Sequence, residues 1–284
     1  MATIRKVGVV GCGLMGGGIA QTFAQSGYET IVSEINQELL DKGLKRIYGA
    51  WDTMAQKGKI TQGQVDEYRA RLHGTLNREE YASCDLVIEA VVEKMEEKIK
   101  LFTALDRILG PDALILSNTS SLNITQMGAV TRRPDKVAGM HFFNPAPVMK
   151  LVEVVQTIST SQETIETVKE FARSLGKSPV VAKDQAGFIV NFLLIPYLVA
   201  AIRMLENGQA TRDDIDTGMK LGCGYPMGPF TLLDYVGLDT TLWAAEAIYD
   251  EFKDPFYAPP PLLRRMVQSG MLGKKSGKGF YTYE

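Results

Sequence analysis

Only two histidines occur among the 284 residues, and one of them, His141, sits near the end of an apolar run, "KVAGMHF" (136–142). A second run, "LVEVVQT" (151–157), holds a single carboxylate, Glu153. A third, "ALILSN" (113–118), ends on Asn118 and leads into Thr119, Ser120 and Ser121. A carboxylate within an apolar strand needs a partner, and a neighbouring imidazole would serve. Such a pair suits proton transfer near neutral pH: the imidazole takes the proton of a substrate hydroxyl, and the carboxylate orients the ring and stabilises the imidazolium. Oxidising a carbinol to a carbonyl by hydride removal requires a base of this kind. The same residues also admit a plainer reading, because a strand-end histidine is often a satisfied core residue and a loop serine often bonds only its local backbone. The hydride acceptor therefore has to be located independently.

"GCGLMG" supplies it, with Gly11, Gly13 and Gly16 at G-x-G-x-x-G spacing around Leu14 and Met15. The spacing alone is a weak signal. Here it follows the strand-like "KVGVVG" (6–11), opens an Ala/Gly/Gln-rich helix, and precedes Glu34 at the end of "ETIVSE" (29–34). That context is the dinucleotide-binding fingerprint. Gly11 permits the tight turn, Gly13 lets a diphosphate approach the positive end of the helix, and Gly16 lets helix and sheet close together. Glu34 would accept hydrogen bonds from ribose hydroxyls and repel a 2′-phosphate, so the expected cofactor is NAD rather than NADP.

The elements that must carry these groups alternate through the first two-thirds of the chain. Further strand-like runs are "DLVIEAVV" (85–92) and "PVVAKD" (179–184), with helical stretches near 94–109 and 161–175. β-branched runs separated by helices predict a mostly parallel sheet covered on both faces, a Rossmann-type α/β domain. Residues 36–73 are charged and longer than one crossover needs, which predicts a helical hairpin protruding from the sheet and turning near "KGKIT" (57–61), with His73 on its polar end. After residue 185 only helical patterns follow. The expected division is 1–185 for the NAD-binding domain and 186–284 for an all-α domain, with Thr211 as an N-cap.

Composition narrows the partners. A net charge of −2 favours neither nucleic acid nor an anionic membrane. The longest apolar stretch, 187–202, contains Asn191 and Pro196 and reads as a buried helix rather than a membrane span. Three scattered cysteines without a CxxC argue for a reducing compartment and against a zinc site. The first residues run straight into a strand without signal-peptide architecture, so the expected location is cytoplasmic.

Four long stretches, "SNTSSL" (117–122), "GMHFFNPAPVMKLVEVV" (139–155), "DQAGFIVNFLLIPYLVAA" (184–201) and "MKLGCGYPMGPFTLLDYVGLD" (219–239), closely resemble the L-3-hydroxyacyl-CoA dehydrogenase family in this order. The chain length and the ending "GKKSGKGFYTYE" look like the stand-alone bacterial 3-hydroxybutyryl-CoA dehydrogenases within it. The resemblance spans essentially the whole chain. It implies reversible NAD-dependent oxidation of an (S)-3-hydroxyacyl-CoA, with His141 as base, Glu153 as its carboxylate, and Ser120 touching substrate and cofactor. It also implies Asn191 as the substrate-positioning amide, Asn144 and Glu93 near the nicotinamide ribose, and Lys98 and Lys275 as further cofactor contacts. The hairpin corresponds to the family's coenzyme A region, with Lys57 as the best candidate for a phosphate partner. A homodimer through the C-terminal helices is implied as well. The abundance of large apolar residues there, Phe230, Leu232, Leu233, Tyr235, Leu242, Trp243 and Tyr249, points the same way. Two other readings share the cofactor site: the same residues acting on a hydroxy-dicarboxyl-CoA or a sugar acid such as L-gulonate, and a non-catalytic NAD-binding protein.

Overall fold

The computed structural model describes residues 4–283. The chain divides into two compact units, Met1–Asp184 and Gln185–Glu284. The first is built on the strands β1 (Lys6–Val10), β2 (Glu29–Ser33), β3 (Leu72–Thr75), β4 (Leu86–Glu89), β5 (Leu114–Ser117), β6 (Val137–Phe142), β7 (Leu151–Gln156) and β8 (Ser178–Lys183). They form one sheet in the order β3-β2-β1-β4-β5-β6-β7-β8. Every pairing is parallel except β6 with β7. The exception follows from chain length, since eight residues join β6 to β7. That is too short for a parallel crossover, so the strand must return antiparallel. Strands β1, β4, β5 and β6 are almost wholly buried, as their unbroken apolar runs require.

The helices of this unit are α1 (Leu14–Gln25), α2 (Gln37–Gln56), α3 (Gln62–Arg71), α4 (Met95–Ile108), α5 (Ile124–Gly128) and α6 (Gln162–Ser174). Helices α2 and α3 are the expected hairpin, but they do not protrude. They pack on α1 and add Leu40, Ile47, Trp51 and Val65 to the main core. The approach is close because α1 is rich in glycine and alanine: a Cβ on Gly17 would touch the Ile47 side chain at 3.8 Å. The turn at 57–61 ends where Thr61 caps α3 in a capping box with Gln64. The hairpin also ends earlier than its polar composition suggests. Leu72–Thr75 pairs parallel to β2 as an edge strand, placing His73 in the sheet, where its Nε2 lies 2.8 Å from Glu80.

The second unit consists of α7 (Val190–Glu206), α8 (Arg212–Cys223), α9 (Pro229–Val236), α10 (Leu238–Phe252) and α11 (Pro261–Gln268). Thr211 caps α8 by accepting from the Asp214 amide. Two buried carboxylates tie the unit together. Asp216 accepts from the Phe230 amide at 2.7 Å and the Tyr281 hydroxyl at 3.0 Å. Asp234 accepts from the Phe280 and Tyr281 amides, both at 2.8 Å, and from the Tyr283 hydroxyl at 3.0 Å. Among the expected surplus of apolar groups, Phe230, Leu233 and Leu242 are buried, whereas Tyr235 and Trp243 are each 62% exposed. Among the described residues no helix is long and apolar enough to cross a membrane.

Candidate active site

The glycine turn joins β1 to α1. Gly11 has φ +98°, and a Cβ there would meet the Ala90 carbonyl oxygen at 2.7 Å. A Cβ on Gly16 would lie 2.0 Å from the Gly11 carbonyl oxygen. These two glycines are required by close approach and backbone sign. Gly13 differs, because its Cβ would meet no protein atom within 4 Å. It caps α1 without a side-chain hydrogen bond, so the helix opens towards free space with its first-turn amides available. That is a cradle for a diphosphate, and the residues fit a dinucleotide.

Glu34 stands just past β2. Its Oε1 accepts from the Cys12 amide at 2.7 Å and its Oε2 from the Ile35 amide at 3.1 Å, which fixes the carboxylate beside the turn. On the other side of Cys12, Arg46 donates Nη2–H to the Cys12 carbonyl at 3.0 Å. Burial, reinforced by the Glu34 charge and opposed by Arg46, pushes the Cys12 thiol up to about 11. That suits packing rather than nucleophilic chemistry.

His141 and Glu153 are directly opposed on β6 and β7, so their side chains emerge on one face. The His141 Nδ1 lies 2.7 Å from Glu153 Oε2, with both residues buried. A carboxylate accepts only, so Nδ1 carries the proton and Nε2 is the basic nitrogen. The ends of β5 and β6 are clamped together by Asn118, whose Oδ1 accepts from the Phe142 amide at 2.9 Å. Ser120 lies half-buried just beyond Thr119. Asn144 is exposed after β6 and lines a small cavity of about 140 Å³ together with Leu14, Gly18, Gln21, Arg46 and Ala50. The glycine turn and these groups share the carboxyl-terminal end of the sheet, where ligands of open α/β sheets bind. A larger depression of about 590 Å³, lined in part by Lys6, Glu29, Arg71 and His73, lies at the opposite, amino-terminal end of the strands.

Several expected cofactor contacts have other neighbours. Lys98 is buried, and its Nζ donates to both Glu89 oxygens at 2.7 and 2.8 Å and lies 3.1 Å from Glu93. Glu93 in turn accepts from the Thr119 and Ser121 hydroxyls. Lys57, the expected coenzyme A phosphate partner, is exposed just past the end of α2. The cation beside the glycine turn is a different residue, Arg46. Asn191, in the first turn of α7, and Lys275, whose Nζ donates to Asp239 at 2.6 Å, belong to the second unit. Glu89, Asn118 and Arg46 were not singled out by role in the sequence. For Glu89 the signal was present, because it is a carboxylate in the apolar run "DLVIEAVV".

A Rossmann-type sheet with a diphosphate cradle, an acidic residue after β2 and a buried imidazole–carboxylate pair defines the class of nicotinamide-dependent dehydrogenases. The sequence profile for the NAD binding domain of 3-hydroxyacyl-CoA dehydrogenase matches residues 6–185, and that for its C-terminal domain matches 187–283. The chain belongs to the 3-hydroxyacyl-CoA dehydrogenase family. It is 47% identical over 282 residues to a 3-hydroxybutyryl-CoA dehydrogenase of Mycobacterium tuberculosis, covering 99% of both chains. It is 45% identical over 288 residues to the human mitochondrial hydroxyacyl-coenzyme A dehydrogenase, covering 99% of this chain and 92% of that one. The crystal structure of (S)-3-hydroxybutyryl-CoA dehydrogenase PaaH1 from Ralstonia eutropha superposes with a TM-score of 0.96 at 42% identity, covering 99% of this chain and 100% of that one.

Proposed function

We propose that the protein catalyses the reversible, NAD-dependent oxidation of (S)-3-hydroxybutyryl-CoA to acetoacetyl-CoA. The observation that carries this reading is the buried His141–Glu153 pair, set at the same end of the sheet as the glycine cradle. When bound, NAD supplies the acceptor for the hydride leaving the carbinol carbon. His141 Nε2 takes the hydroxyl proton, and Glu153 stabilises the imidazolium that forms. In the reverse direction the same nitrogen returns the proton to the carbonyl oxygen. Ser120 supplies a hydroxyl to the substrate oxygen, and Asn191 is the amide assigned to positioning the substrate. The glycine turn and Glu34 hold the diphosphate and the adenosine ribose, with Glu93 and Asn144 assigned to the nicotinamide ribose and Lys275 to a further cofactor contact. The short acyl chain is supported by the names of bacterial relatives such as that of M. tuberculosis.

Consumption of NADH with acetoacetyl-CoA is the direct test. Turnover of the thioester, with a free sugar acid inert in the oxidising direction, is the expected result. No turnover, or a preference for the sugar acid, overturns the reading, and a series of longer 3-oxoacyl-CoA substrates tests the chain-length claim. The remaining proposals are a cytoplasmic location and a homodimer joined through the helical unit. The 62% exposure of both Tyr235 and Trp243 supports the dimer. Light scattering at micromolar concentration should return the mass of a dimer, and a monomer would refute it.

A further inference from the structure

At the carboxyl ends of β4 and β5, three charged side chains form one closed unit that the proton chemistry does not use. Glu89 is fully buried at the end of β4, opposite Ser117 in the β4–β5 register. Its carboxylate accepts from Lys98 Nζ through both oxygens, from the Ser117 hydroxyl, and from the Val91 amide at 3.1 Å. Lys98, itself 1% exposed, also contacts Glu93, whose other oxygen accepts from Thr119 and Ser121. Ser117 additionally accepts from the Thr119 amide at 3.1 Å, so the network shapes the segment leading to Ser120. Removing a buried ion from water is costly, and such a network persists only where each member is satisfied. Glu93 is the only one of the three that reaches solvent, with its side chain 38% exposed.

The strand order reverses between β1 and β4, which is where a dinucleotide crosses the sheet. With Glu34 on the β2 side beside the adenosine half, the nicotinamide half falls on the side of β4 and β5. The formal charges of Glu89, Glu93 and Lys98 sum to one negative. An oxidised nicotinamide ring is a cation, and the reduced ring is neutral. We propose that Glu89 and Lys98 are positioning residues that act through Glu93, and that the net negative charge of the three biases the site towards the oxidised cofactor. The proposal rests on the dehydrogenase reading above.

The test measures dissociation constants for NAD+ and NADH separately, by fluorescence and calorimetry, on the wild-type protein, Glu89→Gln and Glu93→Gln. A unit charge about 10 Å from the ring, at an effective dielectric near 20, changes the ratio of the two constants about tenfold. Each variant should therefore raise Kd for NAD+ relative to Kd for NADH by about that factor. A merely structural role would move both constants together. Glu93 is part-exposed, so Glu93→Gln keeps the test decisive should Glu89→Gln fail to fold. Equal changes in both constants for Glu93→Gln, or no change for a folded Glu89→Gln, would overturn the proposal. A wild-type protein that binds neither form removes the dehydrogenase reading, and the proposal with it.

Discussion

Replacing Glu153 with glutamine removes one negative charge beside His141 and leaves the volume nearly unchanged. The pair is buried, with Nδ1 and Oε2 2.7 Å apart, and the two charge centres lie about 4 Å apart when the ring is an imidazolium. At an effective dielectric near 20, that separation corresponds to about 4 kcal/mol of stabilisation for the protonated ring. Most of it is absent while the ring is neutral, so it acts on the step in which the base gains its proton. Loss of about 4 kcal/mol lowers kcat by about three orders of magnitude. The assay is the rise in NADH absorbance during (S)-3-hydroxybutyryl-CoA oxidation, the direction in which His141 gains the proton, with NAD+ binding measured alongside as a control that should change little. Because Glu153 acts only through His141 in this scheme, the double variant Glu153→Gln/His141→Gln should be no slower than His141→Gln alone. A Glu153→Gln enzyme retaining a tenth of normal kcat, or losses that multiply in the double variant, would refute the coupling.

Three further expectations probe other parts of the molecule. Glu34→Ala should weaken NAD binding about tenfold, since it removes the ribose acceptor and the partner of the Cys12 amide, and should improve NADP relative to NAD; unaltered selectivity would show that another group reads the ribose. Adding Arg46→Ala should cancel the gain in NADP, because Arg46 is the cation beside the same turn. Asp106 is buried, which pulls its carboxyl up, but hydrogen bonds from Arg132 and Arg133 outweigh this and hold it below the usual carboxylate range. Its native pKa is depressed, so the interaction contributes stability above about pH 4 and loses it as pH falls further; Asp106→Asn should cost about 3 kcal/mol in urea unfolding at neutral pH and flatten that acid limb, and an unchanged limb would assign it to other groups. Asp234→Asn can satisfy fewer of its three donors and should lower stability by about 1–3 kcal/mol, visible as a lower melting temperature for the helical unit; an unshifted transition would show that the tail is held by its packing.

The doubly wound half of the fold is legible because its central strands β1, β4, β5 and β6 are buried on both faces and read as unbroken apolar runs. β3 is not. Its four residues, "LHGT", follow a polar helix directly and carry no such run, and only pairing with β2 makes them a strand. The placement of the hairpin was hidden for a related reason: its polar residues are plain in the sequence, whereas Trp51 and Val65 acquire their burial from α1. The His141–Glu153 pairing is legible because a lone carboxylate in an apolar strand demands a partner. The same argument applies to Glu89, where the charged stretch that follows masks it. Lys98 lies in that stretch, and nothing local distinguishes it from the solvated lysines on either side. The place of Arg46 depends on how closely two helices meet, which no spacing in the chain reveals.

The antiparallel return of β7 gives the molecule an uneven modularity. Both members of the imidazole–carboxylate pair lie in one continuous hairpin, Val137–Gln156, and their alignment depends on the register of two adjacent strands. The groups proposed to surround the ribose instead draw on the β1–α1 turn, the residue after β2 and the middle of α2. Redesigning cofactor choice therefore means adjusting three elements together. The hairpin could in principle be grafted whole between sheets of this kind, carrying its acid–base geometry with it.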